Sequence, residues 1–249
     1  MSMNWWWLAG LALPLYPLNI AFTAALSRLR SPLARAALLL IVPQLAVAAL
    51  VRGGAVPFDA ALPWALATSG FYAFRLLSVR DLGLWAIFLA ASGLALTWGL
   101  AAAGVEPARL HAFALAFSLP PALLMGLAGV LEARFGAAYA GLPGGLAQVA
   151  PRLAGGLVFT LLAAVATPIF PGFFAVIELL VGVDTDVRIA VLAIVLTWSW
   201  AATRALQGFV FGPPPAARVA DLSPAGSGAL ALALALYLIA GGWYFGGAL

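Results

Sequence analysis

Long apolar runs constrain this chain more than any other feature. Of its 249 residues, 65% are hydrophobic and only 8% are charged. Several runs reach roughly 20 residues, the length that a helix needs to cross a bilayer core of about 30 Å. These Ala- and Leu-rich runs lack the apolar/polar alternation of a membrane β-barrel. The sequence therefore predicts an all-α fold, a polytopic transmembrane helix bundle.

The apolar runs predict seven to eight spans in one domain, several of them interrupted by proline. The runs cover residues 5–26, 33–51, 60–77, 82–104, 110–131, 152–183, 187–211 and 228–245. Pro14 and Pro17 are expected to kink the first span, and Pro120 and Pro121 to bend or break the fifth, because proline removes a helix donor. Residues 152–183 fit one strongly kinked span or, as the preferred interpretation, two short spans packed as a hairpin.

The basic residues indicate sidedness in a membrane. Arg28, Arg30 and Arg35 follow the first span, and arginines concentrate in cytoplasmic loops, so that loop is predicted to be cytoplasmic, with Arg152 and Arg188 on the same side. The basic residues are scattered along the chain, so the net charge of +4 does not indicate a nucleic-acid partner. All 12 are arginines, which stay charged in proteins, so lysine, the commonest basic proton carrier, is absent.

The polar inventory argues against cofactors and catalysis. The absence of cysteine excludes disulfides, iron–sulfur clusters and thiolate metal sites. A single histidine makes a haem or zinc site within this chain alone unexpected. No arrangement of Ser, His and Asp and no nucleotide-binding glycine motif in a strand–helix context is supported. We therefore expect no metal, no cofactor and no enzymatic reaction.

Three ionisable residues inside apolar runs are the candidates for function: His111, Glu178 and Arg204. Charges in a membrane core are costly and usually face protein or water. His111 is either a proton carrier that titrates near neutral pH or a structural, capping group. Glu178 is either a protonatable carboxylate or the partner of an arginine or of a neighbouring subunit. Arg204 is expected to be a snorkelling or structural charge, or to pair with Glu178, and Gln44 is expected to bond between helices.

Three motifs follow one another in the C-terminal part of the chain. They are His111-Ala-Phe-Ala-Leu-Ala-Phe117, Gly144-Gly-Leu-Ala-Gln-Val-Ala-Pro151 and Pro168-Ile-Phe-Pro-Gly-Phe-Phe-Ala-Val-Ile-Glu178, and a later helix ends in Phe211-Gly-Pro213. In this order and spacing they resemble the antiporter-like subunits of respiratory complex I and the large subunits of Mrp antiporters. The resemblance covers residues 105–249, whereas residues 1–104 resemble the opening helices of that family only loosely.

The resemblance implies an ion-translocating ancestry, and the departures from the family pattern imply a reduced function. Family members are much longer and carry two inverted repeats. Their lysine after the histidine is replaced by Leu115, and their Ser-Lys-Asp is replaced by Ala175, Val176 and Ile177. We therefore expect a shortened, degenerate subunit that serves as a scaffold or docks a partner.

The expected setting is a multisubunit complex in the bacterial inner membrane. That complex is expected to be complex I-like, Mrp-like or of the inorganic-carbon uptake type, with other integral membrane subunits and the lipid bilayer as partners. The alternative is an active proton- or sodium-conducting subunit that uses His111 and Glu178 as relay groups, completed by acidic groups of a neighbouring chain. An accessory role unrelated to energy conversion has only hydrophobicity in its favour.

Overall fold

The computed structural model describes residues 5–54, 61–142, 144–213 and 220–246, which form helices and no β-sheet. The helical segments of these residues are α1 (Trp5–Ala12), α2 (Ile20–Arg28), α3 (Pro32–Gly53), α4 (Ala61–Leu76), α5 (Leu82–Ala95), α6 (Thr97–Ala102), α7 (Pro107–Phe135), α8 (Leu146–Val149), α9 (Pro151–Ala164), α10 (Pro171–Val181), α11 (Thr185–Phe209) and α12 (Pro224–Phe245).

Five of these stretches are long and apolar enough to cross a membrane. They are α3, the nearly continuous pair α5–α6, α7, α11 and α12. The prediction of an all-α, multi-pass membrane bundle is therefore confirmed. The α5–α6 stretch is the centre of the bundle, with 89% of its most apolar window buried, whereas α12 lies at the edge with 17%.

The first predicted span, residues 5–26, is two short helices and not one kinked helix. Helix α1 ends at Ala12 and α2 begins at Ile20. Pro14 and Pro17 lie between them, and two prolines so close together remove too many donors for the helix to continue. The side chain of Asn19, which is fully buried in this break, exchanges hydrogen bonds with the Tyr72 hydroxyl of α4 at 2.9 and 3.2 Å.

Tandem prolines do not break α7, contrary to one of the two outcomes predicted for them. The helix runs from Pro107 to Phe135 with Pro120 and Pro121 inside it. Pro120 has no N–H with which to bond the carbonyl of Ala116, four residues earlier. The Tyr237 hydroxyl of α12 donates to that carbonyl at 2.9 Å. A neighbouring helix thus replaces the lost bond, which is how membrane helices tolerate internal proline.

Helices α9 and α10 form one broken span, so the preferred hairpin is wrong. The start of α9 and the end of α7 meet at Asp221, which is bonded by both Arg152 and Arg134. The end of α10 meets the start of α7, where Glu178 contacts Arg109. The α9–α10 pair therefore crosses the bundle once, antiparallel to α7. Arg152 and Arg188 consequently lie at opposite ends of the bundle, and their predicted common side is also wrong.

The break between α9 and α10 has a strained backbone. Ala166 and Ile169 have φ angles of +55° and +83°, in the left-handed region that residues other than glycine rarely enter, least of all a β-branched residue such as Ile169. They flank Pro168, and the Ile169 side chain is exposed. The surrounding helices must hold this conformation, because the local sequence does not favour it.

Most of the described arginines gather at one end of the bundle, which we call the arginine-rich end. Arg35 of α3 lies 4.0 Å from Glu132 near the end of α7, and the carbonyl of Arg80 accepts from Ala140 just beyond α7. The members of this end are Arg28, Arg30, Arg35, Arg75, Arg80, Arg134, Arg152 and Arg204. Arg52, Arg109 and Arg188 lie at the opposite end.

Candidate functional site

Glu178, at the end of the bundle where α10 meets the start of α7, forms an ion pair with Arg109. Its Oε1 lies 2.7 Å from Nη1 of Arg109, and the two side chains are 16% and 35% exposed. The other carboxylate oxygen, Oε2, is buried and accepts no hydrogen bond from the described residues. Helix α7 begins at Pro107, and proline is favoured at the first helical position. This signal places Arg109 in the first turn of α7, facing α10.

Arg204 lies at the other end of the bundle from Glu178. Its Nη1 donates to the carbonyl oxygen of Leu77, at the end of α4, over 2.9 Å. The guanidinium is exposed and holds α11 against the α4–α5 turn. The pair that the sequence suggested between Arg204 and Glu178 is not formed, because the two residues lie at opposite ends of the bundle, and Glu178 pairs with Arg109 instead.

His111 is clamped to the middle of α3. Its Nδ1 lies 2.8 Å from Oε1 of Gln44, and Nε2 of Gln44 donates to the His111 carbonyl oxygen at 3.4 Å. When Nδ1 carries the proton it donates to this amide oxygen. The interhelical role predicted for Gln44 is confirmed.

The two relay candidates face different neighbours. Arg109 and His111 are two positions apart on α7, which separates them by about 200° around the helix axis. Arg109 accordingly bonds to α10, whereas His111 bonds to α3. The geometry therefore gives Glu178 and His111 two separate contacts and does not join them in one chain of hydrogen bonds among the described residues.

A buried polar cluster links α4, α5 and α11 in the centre of the bundle. Nε1 of Trp198 donates to Oγ of Ser92 at 2.8 Å, and that hydroxyl donates to the carbonyl of Ser69 at 2.7 Å. All three residues are fully buried. The groups are uncharged, so the cluster fixes the helix positions and carries no charge of its own.

No metal centre is evident in the part of the chain that the structure describes. Its His, Asp and Glu residues form no group of three that could hold an ion.

The Gly-Gly-Leu motif forms the loop that docks onto the end of α11. The backbone N–H of Gly145 donates to the Phe211 carbonyl at 3.1 Å, and that of Ala147 donates to the Val210 carbonyl at 3.3 Å. Gly145 has a φ of +74°, and a Cβ there would lie 2.7 Å from the Gly212 carbonyl oxygen. The second glycine of the motif is therefore required by both conformation and space.

Asp221, which the sequence analysis missed, caps the start of α9. Its carboxylate accepts from the backbone N–H groups of Arg152 and Leu153, each at 3.0 Å, and of Leu222 at 2.7 Å. Burial raises the pKa of Asp221, but these hydrogen bonds and the charge of Arg152 outweigh burial and hold the pKa below its ordinary value of 3.8. A carboxylate also suits the positive end of the helix dipole.

Replacing Asp221 with alanine is expected to cost about 1 kcal/mol, the usual loss for a helix cap, and roughly 2–4 °C in the melting temperature. The pKa of Asp221 is lower in the folded protein than in the unfolded chain. The cap therefore stabilises the protein fully at pH values above the unfolded-state pKa, and this contribution is lost as the pH falls through the pKa of the folded state. Melting in detergent, followed by tryptophan fluorescence, should therefore show a gap between wild type and Asp221→Ala that narrows in acid. Asp186→Ala is the control, because it removes an exposed carboxylate from the first turn of α11 and so accounts for the helix-dipole effect; an equal effect of both changes would contradict the cap.

Fold and apolar spans together define the chain as a multi-pass α-helical membrane protein. No protein-family model and no curated protein matches the sequence.

Solved structures identify the particular fold. A chain of respiratory complex I from Thermus thermophilus with bound NADH matches 95% of this chain with a TM-score of 0.83 and 24% identity. A chain of the Mrp complex from Dietzia sp. DQ12-45-1b matches 96% with a TM-score of 0.72 and 17% identity. A chain of the membrane-bound sulfane sulfur reductase, an archaeal respiratory membrane complex, matches 94% with a TM-score of 0.79 and 15% identity.

These matches confirm the resemblance drawn from the motifs at the level of the fold. The chain spans about half the length of each matched chain, namely 54%, 55% and 51%. It therefore has the fold of part of a membrane chain from complexes of the complex I, Mrp and sulfane sulfur reductase kind.

Proposed function

We propose that this chain is a membrane subunit, or part of one, in a larger ion-translocating or energy-converting complex, where it acts as a scaffold that docks other integral membrane subunits without catalysis of its own. The shared fold with chains of three such membrane complexes supports this class. The proposed location is the bacterial cytoplasmic membrane. The arginine-rich end of the bundle faces the cytoplasm in this proposal, since arginines of membrane proteins concentrate on that side.

The engagement of both relay candidates in fixed bonds supports the scaffold role. Glu178 is held at 2.7 Å by Arg109, which stays charged and cannot exchange protons with it. His111 is held by Gln44 on another face of α7. The chain has no lysine that could continue a path between them. Both groups therefore have a structural use that joins α7 to its neighbours.

Ion conduction is the second candidate function. The span broken between α9 and α10 favours it, because discontinuous helices are common at membrane ion sites. The buried Oε2 of Glu178 favours ion conduction as well, since this oxygen has no hydrogen-bond partner among the described residues and could accept a proton. In this case a neighbouring subunit supplies the remaining relay groups.

Mutation of the ion pair is expected to separate the two functions. The Glu178→Gln side chain keeps an oxygen that accepts a hydrogen bond from Arg109, so we expect the assembled complex to retain its ion translocation. We expect the same result for His111→Ala. Arg109→Gln leaves a largely buried carboxylate without its cation and is expected to destabilise the protein by about 2 kcal/mol, less than for a fully buried pair. The measurements are complex yield, melting temperature and ion translocation in membrane vesicles.

Arg188→Gln is the matched control, because Arg188 is exposed at the same end of the bundle. We expect it to leave yield and melting unchanged. A Glu178→Gln complex that assembles fully but loses ion translocation would overturn the scaffold role and favour conduction.

A further inference from the structure

A cavity of about 360 Å³ opens at the arginine-rich end. It lies between the turn that joins α4 to α5, residues 140–141, and the last turns of α11. Because α4 ends at Leu76 and α11 at Phe209, the cavity sits where the apolar helices end. In a membrane, this is the level of the lipid headgroups.

The rim of the cavity is preformed. The Ala140 N–H donates to the Arg80 carbonyl at 2.8 Å, and the Leu82 N–H donates to the Ala138 carbonyl at 2.9 Å. The Gly141 N–H in turn donates to the Gly208 carbonyl of α11 at 2.8 Å. These bonds fix the three segments relative to one another, so a ligand would not have to order them.

The polar side of the cavity carries positive charge. Arg80, Arg204, Ser78 and Gln207 line it, and the described residues of its lining include neither Asp nor Glu. The Arg204 guanidinium is positioned by its bond to the Leu77 carbonyl, which leaves its other N–H groups available. Within the described residues the ion pairs are Arg35–Glu132 and Arg109–Glu178, so neither cavity arginine is neutralised by one.

The opposite side of the cavity is apolar. Trp85 and Phe209, both buried, form part of this wall together with Leu76 and Leu82. A ligand that fits has an anionic head for the arginines and tolerates an apolar surface beside it. The volume falls within the usual range of small-ligand sites.

We propose that this cavity binds the phosphate group of an anionic phosphate compound through Arg80 and Arg204. The planar guanidinium matches phosphate oxygens with paired, charge-assisted hydrogen bonds, and the presence of two arginines in one cavity lining favours phosphate over a single carboxylate. The phosphate can belong to an anionic phospholipid in the leaflet or to a soluble phosphate, and the chemistry of recognition is the same for both.

The test compares wild type with the double variant Arg80→Gln/Arg204→Gln, purified as the full chain with the subunits that accompany it. One arm measures retained phosphatidylglycerol by mass spectrometry after delipidation and rebinding in phosphatidylcholine nanodiscs. The other arm measures binding of inorganic phosphate in detergent by calorimetry. Whichever of the two probes the wild type binds, we expect the double variant to bind it at least about tenfold more weakly, since charged hydrogen bonds are lost. Arg188→Gln, which lies on α11 like Arg204 but at the opposite end of the bundle, is expected to bind both probes like wild type.

The arms identify the source of the phosphate. If the wild type binds phosphatidylglycerol and not inorganic phosphate, the ligand is a lipid headgroup. If it also binds inorganic phosphate, the cavity accepts a soluble phosphate too. Equal binding of both probes by wild type and the double variant overturns the proposal. Loss of a co-purifying subunit with unchanged binding of both probes also overturns it, because an acidic protein segment is then the occupant. If the double variant fails to fold, Arg80→Lys/Arg204→Lys replaces it, with intermediate binding expected because lysine keeps the charge but loses the paired geometry.

Discussion

Replacing Gly145 with alanine is expected to destabilise the protein by about 3 kcal/mol, and roughly 6–12 °C in melting temperature, while the same change at Gly144 is tolerated. Gly145 combines a φ of +74° with a close approach to the end of α11, where a Cβ would lie 2.7 Å from the Gly212 carbonyl oxygen and 2.9 Å from Pro213. These are backbone atoms that cannot rotate away. At Gly144 the nearest atoms would be 3.6 Å away, which is ordinary contact.

The adjacent glycines make the measurement a matched comparison. Both variants would be purified under the same conditions and compared for melting temperature and for recovery with partner subunits. We expect Gly145→Ala to lose the contact between the loop and α11 and to assemble poorly, whereas Gly144→Ala should behave like wild type. Equal melting of the two variants would show that the docked loop contributes little to the fold.

Long apolar helices were predictable because their signals are local. Predicted spans 33–51, 187–211 and 228–245 correspond to α3 (Pro32–Gly53), α11 (Thr185–Phe209) and α12 (Pro224–Phe245). Helices α3 and α12 have a proline in the first turn and a serine cap whose side chain accepts a backbone N–H. Such start signals and continuous apolar runs belong to a few neighbouring residues, so one sequence suffices to identify them.

Contacts between residues far apart in the sequence determine features of the fold that the sequence alone did not predict. Tyr237 replaces the donor that Pro120 lacks, across 121 positions from the Ala116 carbonyl that it bonds. Asp221 caps α9 across 69 positions, and Arg109 reaches Glu178 across 69. No local propensity encodes these bonds. The sequence could therefore name His111, Glu178 and Arg204 as candidates, but their bonding partners became visible only in the three-dimensional fold.

A narrow stripe on α12 holds this edge helix against the bundle. Its buried residues are Leu234, Tyr237, Gly241 and Phe245, spaced three or four positions apart as one helix face requires. Tyr237 donates to Ala116 and accepts from the Gly172 N–H at the start of α10, at 3.2 Å. One hydroxyl thus stabilises both the proline-containing part of α7 and the broken span.

Gly241→Ala is expected to push α12 away from α10 and to cost about 3 kcal/mol, because overpacking a rigid contact forces the backbone to shift. A Cβ at this position would clash with Cγ of Pro171 and lie 2.6 Å from Cβ of the same residue, whose ring cannot rotate aside. The shift would also draw Tyr237, one turn away, off both of its bonds. Gly242→Ala meets nothing within 4 Å and is expected to be neutral or slightly stabilising.

The melting temperature would measure the loss of stability, and the rate of proteolysis at the exposed break near Ile169 would measure the loosening of the broken span. We expect Gly241→Ala to lower the melting temperature and to accelerate proteolysis, and Gly242→Ala to change neither. Tyr237→Phe, which removes only the hydroxyl, should reproduce the faster proteolysis with a smaller loss of stability. If Gly241→Ala melts like Gly242→Ala, α12 does not hold the break, and the strained residues Ala166 and Ile169 must be stabilised from α7 and α9 alone.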